Sequence, residues 1–458
     1  MRTSRSFSIT DIYGRTREKL SRFLGTTHVA RMVKNTGWLG AAMLVTMAAG
    51  MAKSGLLARL LGIEGLGIYG LIISTTAMFS LIFGFTSAEA AITFTSKYIE
   101  NGRISKASQI VRYCLWLDLS ISLLTFFAVM IGSNFFSNFF HLSEDSNRIL
   151  VIYGLIVICD APYWVSVSLL HLCDRFNYDF YIKIMRSLLS LAVIGTIYIY
   201  CGGLLAVVIA EVVISGMVSV IMLILALRSL HSKGVYLRKA EKGPWWRVPA
   251  EVWRFQIHSY FRASLKGAHR HLGALVLGHL TTPSEVGLYH AARRITDPIR
   301  NISGIFLQSL FPIYGKLWFS EKHAELKILF KKSALIFSLL AIGLIIAIAP
   351  IMRFIMLKVF GAPFIGSVAP ALILLVCAAL LILTAPLNAL LPACGESRVP
   401  MLAAACMLVT QIICLYVLVP RYGSSGAALS FLIMLLAGNA VTVPKVISFI
   451  KREKTTNS

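Results

Sequence analysis

The chain has 458 residues, 57% of them hydrophobic and only 14% charged, and its mean hydropathy is +0.76. A soluble domain cannot bury that much apolar surface, so composition excludes a soluble or disordered chain and predicts a polytopic membrane protein. The formal charge of +24 raises nucleic acid as a partner, but no loop interleaves aromatic with basic residues, and that partner is set aside.

Apolar windows of about 20 residues, the length that crosses a hydrocarbon core of roughly 30 Å, recur twelve times and predict an all-α polytopic membrane protein. A basic segment, 1–36, comes first; it reads equally as a charged flank and as an amphipathic helix on an anionic leaflet. The first apolar window begins near Gly37. It is too long for a cleavable signal peptide and lacks a small-residue cleavage site, so it is expected to stay. Spans 38–59 and 68–96 are separated by Leu61-Gly62-Ile63-Glu64-Gly65; spans 108–132 and 149–172 follow, with a kink expected where Asp160 precedes Pro162. Spans 182–201 and 204–228 flank Cys201-Gly202-Gly203. The segment from Arg228 to Arg254 is too short for a nucleotide-binding domain, so direct use of ATP needs another subunit. Spans 253–280 and 285–315 form a hairpin around Thr282-Pro283-Ser284-Glu285. Spans 331–352, 366–392, 399–420 and 425–449 complete the set, the last two meeting at Tyr422-Gly423-Ser424-Ser425.

Lys and Arg gather in alternate loops, on the side that holds both termini, which places the termini in the cytoplasm. The eight cysteines show no CxxC pair, and no GxSxG, HExxH, Walker A or dinucleotide fingerprint occurs. No catalytic residue, metal ligand or cofactor is therefore expected.

The seventh span is the energetic anomaly. Arg262, Lys266 and Arg270 recur at i, i+4, i+8 on one helical face, with His269 and His271 beside them. A charge at the bilayer centre costs between roughly 2.5 and 17 kcal/mol, depending on the reference, so this face must line a wet cavity or meet an anion. Arg262 has a second reading, snorkelling to the interface. Arg293 and Arg294 in the eighth span descend to similar depth; Asp297, three to four residues on, offers them a local ion pair but cannot neutralise both and Arg300 as well. Lys53, on a face with Thr46 and Gly50, either faces the cavity or pairs with Glu89. Glu89 carries a polar stripe with Thr86, Thr93 and Ser96, and intramembrane carboxylates often serve as ion sites. Glu89 and Asp297 are thus candidate coupling or gating residues, while Asp118, Asp160 and Glu211 read as structural.

Internal echoes divide the chain in two. Gly67-Ile68-Tyr69, opening the second span, returns as Gly287-Leu288-Tyr289 at the eighth; Gly203-Leu204-Leu205-Ala206, opening the sixth, returns as Gly426-Ala427-Ala428-Leu429 at the twelfth. Six spans restore the chain to its starting side, so the halves are expected as parallel repeats with a cavity between them. The divisions expected are the cytoplasmic segment 1–36, a six-helix bundle at 37–230, a cytoplasmic linker at 231–251, a second bundle at 252–450 and a tail at 451–458.

Leu57-Ala58-Arg59-Leu60-Leu61-Gly62-Ile63-Glu64-Gly65-Leu66-Gly67-Ile68-Tyr69 resembles the first hairpin of the polysaccharide-biosynthesis (O-antigen) flippases of the multidrug/oligosaccharidyl-lipid/polysaccharide exporter superfamily. Val286-Gly287-Leu288-Tyr289-His290-Ala291-Ala292-Arg293-Arg294 with Leu310-Phe311-Pro312 resembles that family's eighth helix. Ala393-Cys394-Gly395-Glu396-Ser397-Arg398, Val419-Pro420-Arg421-Tyr422-Gly423 and Gly426-Ala427-Ala428 are similar to its eleventh and twelfth.

The resemblance implies two six-helix bundles in a V in a bacterial inner membrane. It also implies alternating-access transfer of undecaprenyl-pyrophosphate-linked oligosaccharide from the cytoplasmic to the periplasmic leaflet. Membrane lipids, a polysaccharide polymerase and a chain-length regulator are the other partners it suggests. A pyrophosphate suits Lys53, Arg262, Lys266, His269, Arg270, Arg293 and Arg294, because guanidinium and ammonium groups meet its oxygens by charge-assisted hydrogen bonds. Two other classes remain in play. A multidrug antiporter calls for an acid-dominated lumen, and a membrane polymerase or glycosyltransferase calls for catalytic residues on a large external loop, which 133–147 and 353–365 do not offer.

Overall fold

The computed structural model describes residues 27–84, 87–237, 248–396 and 398–452, with side chains at all of these except 27–42, 44, 261–266, 268, 305, 308 and 449–452. Most of the N-terminal segment, 238–247 of the linker and 453–458 of the tail lie outside the described residues.

Helices account for all the regular structure among the described residues. In chain order they are α1 (Thr27–Phe83), α2 (Ala88–Glu100), α3 (Ile104–Phe139), α4 (Glu144–Cys159), α5 (Ala161–Leu172), α6 (Phe176–Ile199), α7 (Leu204–His231), α8 (Ala250–Leu280), α9 (Pro283–Phe319), α10 (His323–Ile348), α11 (Met352–Val359), α12 (Val368–Leu383), α13 (Ala385–Ala393) and α14 (Arg398–Arg452). A short 3-10 turn, Ala362–Ser367, precedes α12.

Two of these are too long to be single crossings. α1 has 57 residues, which as one straight rod would reach roughly 85 Å, about twice a bilayer. Gly62, at φ 68° and ψ −171°, breaks it into two arms, and Gly423, at φ 52°, does the same for the 55 residues of α14. Both lie in the left-handed region, which costs glycine no Cβ clash. Among the described residues eight stretches are long and apolar enough to cross a membrane, and two of them, Val45–Phe83 and Arg398–Ser448, contain these breaks. The crossings they miss are α8 and α9, whose charges lower their hydropathy. With those two added, the chain is the twelve-span, all-helical, multi-pass membrane protein that the sequence predicts.

Three spans depart from single smooth helices. The fourth breaks at Asp160, between α4 and α5, with Pro162 in the first turn of α5. The tenth breaks at Thr384, between α12 and α13, with Pro386 in the equivalent place. The second was expected to run unbroken from 68 to 96. It instead stops at Phe83 and restarts at Ala88. Ser87 is held out of helical register by Asp118, whose Oδ1 accepts from the Ser87 amide at 3.0 Å and its hydroxyl at 2.7 Å.

Packing divides into three cores. One joins both halves at the end that holds the Gly62 and Thr282 turns, with Leu57, Leu66 and Tyr69 of α1 against Val286, Ala291 and Ile295 of α9. The second, toward the end that holds the termini, belongs to the first half, around Val111, Tyr113 and Val218. The third belongs to the second half, around Tyr314, Ile382 and Leu390. The halves are thus sealed at one end and hold separate cores toward the other, the packing pattern of a V.

The seal is reciprocal. A Cβ added to Gly67 would lie 1.8 Å from the Pro283 carbonyl oxygen, and one added to Gly287 would lie 2.1 Å from the Ile63 carbonyl oxygen. The glycines of the sequence echo are therefore where the two halves cross backbone to backbone. Nearby, Arg59 Nη2 donates to the Lys358 carbonyl at 2.6 Å, and His279 Nδ1 lies 3.0 Å from the Phe139 carbonyl with its ring stacked on Phe139. Glu285 accepts from the Ser424 amide at 2.7 Å, a carboxylate at the start of the second arm of α14.

α8 straddles the division. Its first turns pack on the first half: Val252 enters that core, Trp253 meets Tyr113 and Phe255 meets Phe94 edge-on, and the Tyr113 hydroxyl donates to Gln256 Oε1 at 2.5 Å. Its middle turns to the second half, where the His269 carbonyl accepts from Gln411 Nε2 at 3.0 Å.

Candidate functional site

Where α8 and α9 pass mid-length, cations converge. Tyr289, Arg293, Thr296, Asp297 and Arg300 share one face of α9, by helical spacing. With Arg270 of α8, Leu374 and Cys377 of α12, and Phe431 of α14 they line a gap of about 10 Å³, space for about one water. Arg293 Nη1 donates to the Arg270 carbonyl at 2.8 Å and Nη2 approaches Asp297 at 3.3 Å; Arg300 meets the other Asp297 oxygen at 3.1 Å. Arg293 also lies over the Tyr289 ring, 5.9 Å from its centroid.

The charge does not balance. Three guanidiniums line the pocket with one carboxylate, which pairs with Arg293 and Arg300, and the Arg270 side chain is exposed. Arg293 and Arg300 are 16% and 17% exposed, so water screens them little, and the local field is positive.

Arg293 and Arg294 are neighbours in sequence but face opposite halves. Arg294 is within electrostatic range of Glu211, Tyr69 and Tyr153 of the first half. There Lys53 is ion-paired with Glu211. Of the two readings of Lys53, the pair with Glu89 is overturned: the partner of Lys53 comes from α7, 158 positions away.

The other sequence candidates separate. Glu89 is exposed in the first turn of α2 and accepts from the Ser259 hydroxyl of α8 at 2.8 Å. Its expected stripe is interrupted by the Gly84–Ser87 break, and Thr86 lies outside the described residues. His269 is half-buried, 6.4 Å from the Phe431 ring. The side chains of Arg262 and Lys266 lie outside the described residues, although their backbones continue α8.

Each half also encloses a cavity at its broken helix. The first, about 400 Å³, is lined by Asp160 and Ala161 at the α4–α5 break, by Thr76, Ser80, Asp118, Tyr153 and Trp164, and by His271 of α8. The second, about 360 Å³, is lined by Thr384 and Asn388 at the α12–α13 break, by Asn439 and Thr442 of α14, and otherwise by apolar residues. Sequence reasoning missed these cavities, although a signal was present: Asp160-Ala161-Pro162 recurs as Thr384-Ala385-Pro386, at nearly the offset of the other echoes.

The fold has solved counterparts. The chain is similar to an inward-facing multidrug resistance MATE family transporter of the MOP superfamily, with a TM-score of 0.71 at 15% identity, over 91% of this chain and 96% of that one. It is also similar to the lipid II flippase MurJ in an inward closed conformation (0.66, 14% identity, 89% and 87%). The Vibrio cholerae MATE transporter VcmN in its bent form is a third (0.58, 14% identity, 92% and 97%). At these identities the likeness is one of fold. No curated protein matches the sequence. The family model described as polysaccharide biosynthesis protein matches residues 32–318, from the first span through the cationic hairpin. The chain belongs to that polysaccharide biosynthesis protein family.

Proposed function

We propose that this protein is a flippase that carries an undecaprenyl-pyrophosphate-linked oligosaccharide from the cytoplasmic to the periplasmic leaflet of a bacterial inner membrane, its termini in the cytoplasm. The observation that carries the reading is the unbalanced cluster of Arg270, Arg293 and Arg300 around Asp297 on the facing helices α8 and α9. Charges that costly persist in a bilayer where they meet a counter-ion, and a pyrophosphate supplies two charges and many acceptors. The separate cores toward the terminus-bearing end correspond to opening toward the cytoplasm. Lys53, Arg262, Lys266, His269 and Arg294 extend the cationic surface in this reading, with Arg294 offered to the first half. Glu89 and Asp297 serve coupling or gating, Glu89 through its hold on α8. A polysaccharide polymerase and a chain-length regulator are the partners this product calls for.

Arg270 is the residue to change, because its side chain is exposed and takes no part in the Asp297 ion pairs. Arg270→Glu should abolish surface polysaccharide in cells that rely on this protein, while membrane levels of the protein hold. Wild-type polysaccharide in that variant overturns the proposal. Ion-coupled export of organic cations is a second reading, favoured by the two carboxylates in the first-half cavity, Asp118 and Asp160. It predicts that Arg270→Glu leaves cation export running.

A further inference from the structure

We infer that the first-half cavity holds the glycan of the transported lipid, a site for neutral, hydroxyl-rich sugar rings set beside the cationic site. The inference rests on the flippase reading and deepens it.

The two cavities occupy equivalent places in the repeats and are of similar size, both within the range of about 300–1,000 Å³ usual for small-molecule sites. Their chemistry differs. At the second, the Asn388 amide is already given to Thr384 Oγ1 at 3.3 Å and the Thr442 hydroxyl to the Gly438 carbonyl at 3.0 Å, and apart from Asn439 the walls are otherwise apolar. At the first, polar groups remain unspent. Thr76 is 3% exposed, and its hydroxyl has no hydrogen-bond partner. His271 Nδ1 is likewise buried without a partner. Leaving a buried polar group unmet costs about 1–3 kcal/mol, which a bound hydroxyl recovers.

The carboxylates point the same way. Asp118 spends Oδ1 on the Ser87 amide and hydroxyl. Asp160 accepts from Ser215 and Ser219 through Oδ1, and Arg186 stands 3.9 Å from its Oδ2. Two carboxylates repel a phosphate, so the pyrophosphate does not belong here. Arg186 answers part of their charge, which weakens the claim of a cation. A sugar hydroxyl donates and accepts at once and meets carboxylate, threonine and imidazole alike. Trp164, 55% exposed on the same wall, supplies the flat apolar face that a sugar ring's C–H groups need.

Position ties the cavity to the anion site. Arg270 lines the cationic pocket and His271, the next residue and about 100° round α8, lines this cavity, so the two sites lie on neighbouring faces of one helix. In a sugar pyrophosphate the first ring is bonded directly to the phosphate, so a ligand seated at Arg270 delivers its sugar to His271.

The test is calorimetric binding of farnesyl diphosphate, alone or carrying one hexose or N-acetylhexosamine in gluco or galacto configuration, to the purified full-length protein. In wild type at least one sugar-bearing compound should bind about tenfold more tightly than farnesyl diphosphate, the worth of one to two hydrogen bonds. Thr76→Val, which keeps the side-chain shape, and Asp160→Asn should each bring that ratio below about threefold. Arg270→Glu should weaken both ligands together. The inference is overturned if no sugar-bearing compound exceeds farnesyl diphosphate in wild type, or if Thr76→Val preserves the full ratio in a protein that melts normally. Failure of farnesyl diphosphate itself to bind wild type overturns the flippase reading, and this inference with it.

Discussion

Gly67→Ala tests the seal between the halves. The added methyl would sit 1.8 Å from the Pro283 carbonyl oxygen and 2.7 Å from its carbon, whereas ordinary contact begins at 3.4 Å. The helices must therefore part by roughly 1.5 Å, because the obstacle is backbone and has no rotamer to yield. Overpacking of this kind costs about 1–3 kcal/mol, which shifts a two-state equilibrium about 5- to 150-fold. The cost falls only on the conformation closed at this end, so the population moves toward opening there. Gly287→Ala meets the Ile63 carbonyl from the opposite side, and because one separation relieves both clashes, the double variant should cost less than the two singles combined. The assay is the alkylation rate of Ser80→Cys in the first-half cavity, in a protein with its native cysteines replaced, using a membrane-impermeant reagent applied at the sealed end. Gly67→Ala should raise the rate at least about fivefold. Gly343→Ala, where a Cβ meets nothing within 4 Å, should leave it unchanged. Unaltered labelling and unaltered melting in Gly67→Ala would refute the reasoning.

Three further outcomes are expected. Lys53→Met and Glu211→Leu should each destabilise the protein by about 3–5 kcal/mol in thermal melts, and the double variant should recover much of that, since the charge left unpaired is the main cost; additive losses would show the pair to be uncoupled. Asp297→Asn removes the carboxylate shared by Arg293 and Arg300, so melting temperature and membrane yield should both fall, and a wild-type melt would deny the ion pairs a structural role. Glu89→Gln should uncouple transport from the ion gradient in vesicles; transport that still follows the imposed gradient rejects the coupling role, and a melting change of more than about 1 kcal/mol would mark the Ser259 contact as structural instead.

Much of the site was legible because charges in apolar windows stand out against their background. Arg270, Arg293 and Asp297 were visible in that way, and the i, i+4 spacing of Arg293 and Asp297 is enough to pair them. Lys53 was equally visible, but its partner was not: Glu211 lies 158 residues away on α7, and helical periodicity says nothing about what stands across a helix interface. The break before Ala88 escaped notice because Gly84 and Ser87 are ordinary in an apolar run. Asp118 and the Cys114 carbonyl, both arriving from α3, hold Ser87 out of helix. The cavities escaped because Asp160 and Thr384 look unlike, and the shared Ala-Pro that follows each gains meaning only when both spans are seen to break there.

The sequence by itself determined the twelve spans and showed which of them carry charge. Each follows from a local constraint: a bilayer demands apolar windows of set length, and every charge that breaks such a window is costly. The tertiary structure alone decided which way those charges face. Neighbouring residues on a helix point about 100° apart, so Arg293 serves one half and Arg294 the other, and Arg270 lines the cationic pocket while His271 lines the polar cavity. Those facings depend on contacts between distant helices, such as Gly67 against Gly287, which exist only once the two halves have packed.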